Sequence, residues 1–283
     1  MRDLVGKAAF ITGGASGIGL AMGRAFAAAG MRVMLGDIEA AALEAAVVAL
    51  RADGADVRGV LCDVESAGSM VEAAQAAIAA FGRVHIVCNN AGVAGGSGIT
   101  AISTETWRWV IDVNLMGVVH GVAAFLPHMR GHGEGGHFVN TASMAGLNSG
   151  LGFSPYSASK FAVVNMSEGL AAELAPLGIG VSVLCPGFVR TRIWDAQRNR
   201  PARYGAAQPP SAVLAGLAAQ GAAGLDPDGV AAHVVAAVRD GRLYVFTYTG
   251  PDWRAEVQER LDGILAAMDA ADSALERGDH EIP

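Results

Sequence analysis

The sequence predicts an α/β fold in which helices cover both faces of a doubly wound, parallel, seven-stranded sheet. Three observations favour this fold: seven short apolar runs, longer helical stretches that alternate with them, and a cluster of glycines directly after the first run. Runs that are apolar along their whole length are typical of strands in a parallel sheet, because such a sheet is buried on both faces. Right-handed crossovers through the helices then produce the doubly wound arrangement.

The predicted strands and helices alternate along the chain. Short apolar runs predict strands over residues 7–12, 31–36, 57–61, 84–88, 136–141, 180–185 and 242–248. Apolar residues at helical spacing predict helices over residues 18–29, 39–52, 67–81, 104–130, 156–176 and 227–239. Because no linker or internal repeat divides the chain, we expect one domain over residues 1–250.

Composition excludes several classes of protein. Of the 283 residues, 52% are hydrophobic and 17% are charged, a balance too apolar for a disordered chain. The net charge of −7 and the lack of a basic run speak against binding to nucleic acid or to an anionic membrane. The three cysteines lack metal-ligand spacing, so we expect free thiols and no metal site. Without a leader or an apolar run long enough to span a membrane, the chain is expected to be cytoplasmic.

Two segments interrupt the alternation. Residues 186–226 separate the sixth strand from the next helix, and a connection this long is usually functional, so we expect a lid over a binding site. Residues 251–283 include nine acidic residues and three arginines between Asp252 and Glu281. Apolar residues recur there at steps of three and four, which predicts an acidic amphipathic helix packed on the domain or on a partner subunit.

A dinucleotide site is predicted where the first strand ends. Glycines there let the backbone turn sharply and approach a pyrophosphate, while the N-terminus of the next helix offers N–H groups. Asp37 ends the second strand, where a carboxylate accepts hydrogen bonds from the adenosine ribose, although Asp also caps helices well. Neither Ser16 nor Ile38 is basic, which favours NAD over NADP. The predicted contacts are Gly13, Ser16, Gly17, Ile18, Gly19 and Asp37.

Tyr156 and Lys160 indicate alcohol–carbonyl chemistry. Four residues apart, they lie on one face of a predicted helix, and Ser143 lies just past the fifth strand. Tyrosine can move the proton, but its reference pKa of about 10 has to fall by roughly three units, about 4 kcal/mol, and a nearby ammonium supplies part of this. Such a pair often lies on a surface, but Lys160 is one of two lysines in the chain and its helix is otherwise small or apolar.

Together these motifs resemble the classical short-chain dehydrogenase/reductase family, whose fold is of the Rossmann type. The resemblance is close over residues 5–192 and implies a catalytic set of Asn114, Ser143, Tyr156 and Lys160. It also implies that Asn114 kinks its helix and holds a water beside Lys160. Besides Tyr156 and Lys160, it implies cofactor contacts by Asp63, Val64, Asn90, Gly92, Pro186, Gly187, Val189 and Thr191.

The predicted function is NAD-dependent transfer of hydride between nicotinamide and a secondary alcohol or ketone. Two alternatives stay open. A nucleotide-binding regulatory module without turnover is opposed by the presence of Ser143, Tyr156 and Lys160. An NAD-dependent epimerase or dehydratase is opposed by the spacing of the glycines after the first strand, because the epimerases related to the short-chain family resemble a different glycine spacing.

Apolar residues also predict the substrate and the assembly. A bulky, apolar or aryl substrate is expected, since the pocket wall is predicted to come from Met144, Phe153, Phe188 and Trp194. Residues 135–147, 197–201 and 243–253 resemble the Cα-dehydrogenases of lignin-derived β-aryl ethers. Helices 104–130 and 156–176 are apolar around much of their circumference, which predicts a homo-oligomer, either a tetramer or a dimer.

Overall fold

The predicted strands pair in parallel into a single seven-stranded sheet in the computed structural model, which describes residues 1–95, 99, 102–148, 154–207, 209, 212–248 and 251–276. The strands are β1 (Ala8–Thr12), β2 (Arg32–Asp37), β3 (Val57–Leu61), β4 (Ile86–Asn89), β5 (Gly136–Thr141), β6 (Ile179–Cys185) and β7 (Tyr244–Phe246). Their order is β3-β2-β1-β4-β5-β6-β7. The order reverses between β1 and β4, and in such sheets a ligand crevice opens at the carboxyl ends of those strands. The predicted fold class is confirmed.

Helices fill the intervals between the strands. They are α1 (Gly17–Ala28), α2 (Ala40–Ala52), α3 (Ala67–Phe81), α4 (Thr104–Ile111), α5 (Gly117–His132), α6 (Ser154–Leu174), α7 (Ala212–Ala222), α8 (Pro227–Asp240) and α9 (Pro251–Glu276). The helix predicted over 104–130 is interrupted by a π-helical turn at Asp112–Met116, which separates α4 from α5. The predicted lid is not a plain loop, because it contains α7 and short 3₁₀ turns at Ile193–Asn199 and Ala202–Tyr204.

Burial explains the strand pattern. Every residue of β1 and β5 is buried, as expected for central strands of a parallel sheet. The edge strands are more exposed: in β3 only Val57 is buried, and in β7 only Val245 is. Side chains of Ser66, Ser103 and Asp226 accept backbone N–H groups at the first turns of α3, α4 and α8, which is why those helices begin where they do.

Two apolar clusters form the core, one on each face of the sheet. The first includes residues of α1, α2 and α8, and the second includes residues of α3, α4 and α5. The stretch Thr104–His132 is long and apolar enough to cross a membrane, contrary to our expectation that no segment would be. Val110, Phe125 and Met129 of this stretch are buried in the second cluster, as in the core helix of a globular protein.

In the described part of the chain, residues 1–247 form one compact unit and a second begins at Tyr248. The second unit contains α9, the amphipathic helix expected from the sequence. Its apolar residues Leu261, Ile264, Leu265 and Met268 are 44–59% exposed. The predicted packing of this helix on the domain or on a partner subunit stays a prediction.

Candidate active site

The glycine loop between β1 and α1 has a backbone that only glycine adopts easily. Gly13 and Gly17 have φ angles of +65° and +54°. A Cβ atom at Gly19 would lie 2.1 Å from the carbonyl oxygen of Gly13, so the loop closes too tightly for any side chain there. Ser16 precedes α1 without capping it through its side chain, and the N–H groups of the first turn, around Ile18, are left for a ligand.

Asp37 fastens the glycine loop to the start of α2. Its Oδ2 accepts the N–H of Ala15 at 2.9 Å, and its Oδ1 accepts the N–H of Glu39 at 3.0 Å. The N-cap residue of α2 is Glu39, without a side-chain cap, so Asp37 does not cap this helix, and ribose binding by Asp37 stays a prediction. Next to it, Ile38 is 48% exposed and carries no charge.

Residues that follow β3 and β4 lie at the same carboxyl-terminal end of the sheet as the glycine loop. Asp63 accepts the N–H of Glu65 at 3.1 Å, and Val64 is buried. Asn90 donates its backbone N–H to Thr12 Oγ1 at 2.9 Å and its side-chain amide to the carbonyl oxygen of Thr12 at 3.0 Å. These bonds join β4 to β1 directly beside the glycine loop.

Ser143, Tyr156 and Lys160 come together beside β5. A hydrogen bond from the Ser143 side chain lowers the pKa of Tyr156, while burial raises that pKa by more. Lys160 Nζ lies 5.6 Å from the centroid of the Tyr156 ring and donates to the carbonyl oxygen of Thr141 at 2.7 Å. Burial of Lys160, which is 2% exposed, lowers its pKa from 10.5 to about 8. The group can thus hold a substrate oxygen and move its proton.

Asn114 lies in the π-helical turn and is fully buried. Its Oδ1 accepts the N–H of Val93 at 2.8 Å, and its Nδ2 donates to the carbonyl oxygen of Val93 at 3.0 Å and to Ser159 Oγ at 3.2 Å. A Cβ atom at Gly92 would lie 3.4 Å from Asn114 Oδ1 and 3.6 Å from Lys160 Nζ. Asn114 and Gly92 are therefore neighbours of the lysine.

The beginning of the lid connects β6 to the glycine loop. The carbonyl oxygen of Pro186 accepts the N–H of Met144 at 3.0 Å, and Gly187 follows it. Val189 forms a parallel bridge with Leu225. A Cβ atom at Gly17 would lie 3.0 Å from Cγ2 of Thr191, so Thr191 lies against the start of α1.

Of the four residues predicted to form a substrate wall, the structure brings two together. Phe188 and Trp194 stack with ring centroids 6.3 Å apart. Trp194 packs under α7, where a Cβ atom at Gly221 would lie 2.0 Å from its Nε1. Met144 is buried at 3% exposure, and Phe153 lies outside the described residues.

Sequence reasoning missed three hydroxyl residues that hold the site together. Thr12 and Thr141 are the last residues of β1 and β5 and supply oxygens to Asn90 and Lys160. Ser159 donates to the carbonyl oxygen of Tyr156 at 2.7 Å. Their positions could have indicated this role, because Thr12 and Thr141 end strands and Ser159 lies between Tyr156 and Lys160 on the same helix.

The short chain dehydrogenase family matches residues 7–202 of this chain. The chain belongs to the short-chain dehydrogenase/reductase family. It is 34% identical to a C alpha-dehydrogenase of Sphingobium sp. over 95% of this chain and 88% of that protein. A short-chain dehydrogenase/reductase from Burkholderia phymatum in complex with NAD is 40% identical, with a TM-score of 0.90 over 94% of this chain and 97% of that one.

A second similar structure has a different cofactor. An actinorhodin polyketide ketoreductase with NADPH is 29% identical, with a TM-score of 0.74 over 87% of this chain and 97% of that one. The protein is an NAD(P)-dependent oxidoreductase that interconverts alcohols and ketones. Neither alternative, an inert nucleotide-binding module or an epimerase, is favoured by these similarities.

Proposed function

We propose that the protein is an NAD-preferring dehydrogenase of bulky secondary alcohols, aryl carbinols among them, and of the corresponding ketones. The observation that carries this proposal is the grouping of Ser143, Tyr156 and Lys160 beside Gly92, at the sheet edge that also bears the glycine loop. We assign Asn114, Ser143, Tyr156 and Lys160 to catalysis.

The residues present fit a nicotinamide dinucleotide. The tight loop at Gly13 and Gly19 keeps side chains away from the path of a pyrophosphate. Asp37 has a carboxylate whose remaining lone pairs suit two ribose hydroxyls, and a 2′-phosphate there would meet a like charge. The guanidiniums of Arg192 and Arg198 are held by Glu39, which supports NAD over NADP.

The chain's own residues supply the proton chemistry. A bound nicotinamide supplies or accepts the hydride. Ser143 Oγ accepts the N–H of Ala145 at 3.1 Å, so its single hydroxyl proton is left to donate either to the phenol oxygen or to the substrate oxygen. Tyr156 exchanges the proton of the substrate hydroxyl. The Lys160 ammonium favours the phenolate of Tyr156 and therefore lowers the cost of taking that proton.

The substrate class is supported by the lid and by the relatives. Phe188 and Trp194 place aromatic area on the side of the site where the lid begins. An extra 100 Å² or so of apolar surface buried against such a wall stabilises a complex by about 2.5 kcal/mol. The similarity to a C alpha-dehydrogenase points in the same direction.

We also propose a homotetramer that acts in the cytoplasm. Phe125 of α5 and Leu174 of α6 are buried, but other apolar residues of these two helices are only half-buried in the single chain. These half-buried residues are Val119, Val122, Leu126, Phe161 and Leu170. A second copy would cover them in an isologous contact. Buried free thiols at Cys62, Cys88 and Cys185 support a reducing compartment.

The test is a comparison of kcat/KM for a 1-aryl alkanol and for 2-propanol, with NAD and with NADP. We expect the aryl alcohol to be preferred over fiftyfold, which corresponds to about 2.5 kcal/mol. Equal values for the two alcohols would contradict the substrate proposal, and equal use of NADP would contradict the interpretation of Asp37. Light scattering decides the assembly, since a 28.8 kDa species would exclude any oligomer.

A further inference from the structure

The same three-residue pattern lies at the carboxyl ends of β2 and β3. Asp37-Ile38-Glu39 and Asp63-Val64-Glu65 each consist of an aspartate, an aliphatic residue and a glutamate. In each, the aspartate Oδ1 accepts the N–H of the glutamate, at 3.0 Å and 3.1 Å. The aspartates are the residues expected to hold adenosine. The glutamates have a second set of partners.

Glu39 binds one end of a segment of the lid, residues 192–204, which we call the strap. Arg198 donates from Nε and Nη2 to Glu39 Oε1 at 3.2 Å and 2.5 Å. Asn199 Nδ2 donates to the same oxygen at 3.0 Å, and Arg192 Nη1 lies 3.5 Å from Oε2. The Glu39 side chain is 23% exposed, and the Arg198 hydrogen bond is the main cause of its lowered pKa. Glu39 therefore binds three side chains of the strap.

Glu65 binds the other end of the strap. Its Oε2 forms an ion pair with Arg203 and accepts the hydroxyl of Tyr204 at 3.3 Å. The Glu65 side chain is 5% exposed and the Arg203 side chain is 55% exposed, so the carboxylate is buried while the guanidinium of the pair remains open to solvent and to salt. The Tyr204 hydroxyl also lies 2.7 Å from Asp112 Oδ2, in the π-helical turn beside Asn114.

Between these two ends the strap is held down on α4. Arg200 Nη1 donates to Thr106 Oγ1 at 3.0 Å, and its guanidinium lies 5.2 Å from the centroid of the Trp109 ring. The strap thus runs from the carboxyl end of β2 to that of β3, with a middle contact on α4. Those two strand ends carry Asp37 and Asp63.

We propose that the strap is a clamp over the adenosine half of the cofactor, and that Glu39 and Glu65 are positioning residues that latch it. This inference rests on the proposed function, because it takes Asp37 and Asp63 as the adenosine contacts. A dinucleotide held between the two aspartates cannot enter or leave until the strap detaches from at least one glutamate. The latches therefore slow binding and release together, and they change the equilibrium affinity far less than either rate.

The experiment measures NADH binding and release by stopped-flow fluorescence, with excess NAD as the displacing ligand. The variants are Glu39→Gln, Glu65→Gln and the double variant. Glutamine keeps the size of the side chain and removes its charge. The matched control is Glu134→Gln, since Glu134 also pairs with an arginine, Arg83, but at the opposite end of the sheet.

We expect each single variant to release NADH about tenfold faster, which corresponds to about 1.4 kcal/mol. Association should accelerate as well, so that Kd changes by less than about threefold, and the control should match the wild type. Added salt should speed release from the wild type and leave the double variant unchanged, because it screens the ion pairs. The wild-type part of this salt test needs no variant at all, so the clamp can still be refuted if the variants fail to fold.

The outcomes separate the clamp from the proposed function. Faster release with unchanged association would mean that the glutamates only strengthen binding, and it would overturn the clamp. Wild-type protein that binds NADH, but releases it at the rate of the variants and without salt dependence, would also overturn the clamp and leave the proposed function standing. Wild-type protein that binds no dinucleotide would refute the proposed function and the clamp with it.

Discussion

Replacing Lys160 with methionine tests how the site activates its tyrosine. The ammonium lies 5.6 Å from the centroid of the Tyr156 ring. For an ammonium about that far from the phenolate, and an effective dielectric of about 20, Coulomb attraction favours the phenolate by about 3 kcal/mol. Lys160→Met should therefore raise the pKa of Tyr156, the essential base, and lower kcat/KM for alcohol oxidation about a hundredfold near pH 7.

The assay is the pH dependence of kcat/KM for alcohol oxidation, followed by NADH formation. The matched control is Lys7→Met, because Lys7 is the other lysine of the chain and precedes β1 at the opposite end of the sheet. If the pKa read from the pH profile of kcat/KM moves by less than about half a unit in Lys160→Met, the electrostatic reasoning is refuted. An equal shift in Lys7→Met would refute it too, since a distant charge should be screened.

The same lysine predicts a pH dependence of stability. Its pKa falls from 10.5 in the unfolded chain to about 8 in the fold, because burial penalises the ammonium. Between these values the unfolded chain binds a proton that the folded chain has lost, so stability rises with pH. The unfolding free energy of the cofactor-free wild type, relative to Lys160→Met, should grow by up to about 3 kcal/mol across this window. Urea titrations at both limits measure it, and a constant difference would exclude the shifted pKa.

Three further variants test other parts of the site. Tyr156→Phe should lower kcat/KM about 10²–10⁴-fold with little change in the Kd for NADH, and retention of more than about a tenth of kcat would reject its acid/base role. Asp37→Ser with Ile38→Arg should shift preference towards NADP, since a like charge at about 4 Å costs about 4 kcal/mol; the NADP/NAD ratio of kcat/KM is the readout. Asn114→Leu leaves the buried N–H and C=O of Val93 without partners, so urea unfolding should show a loss of about 2–6 kcal/mol, and a loss below about 1 kcal/mol would contradict this.

Local properties of the chain were sufficient for the strands and for the glycine turn. Continuous apolar runs can only be buried on both sides, so β1, β5 and β6 were predicted to within a residue. Positive φ angles at Gly13 and Gly17 are a property of single residues, and glycine is the residue that adopts them easily. The Tyr156–Lys160 pair could be predicted from the sequence because four residues make about one helical turn, which puts both side chains on one helix face.

Contacts between distant residues were decided only by the tertiary structure. The family resemblance implied a kink at Asn114, but periodicity alone predicted an unbroken helix over 104–130, because Asn114 is bonded to Val93, which lies 21 residues earlier and outside the helix. Glu39 and Arg198 are 159 residues apart, and no local pattern indicates that two charged residues will meet across the sheet edge. The lowered pKa of Lys160 likewise depends on burial, which the packing of the surrounding elements creates. Sequence periodicity reports the conformation of one segment, whereas desolvation and ion pairing depend on which segments pack together.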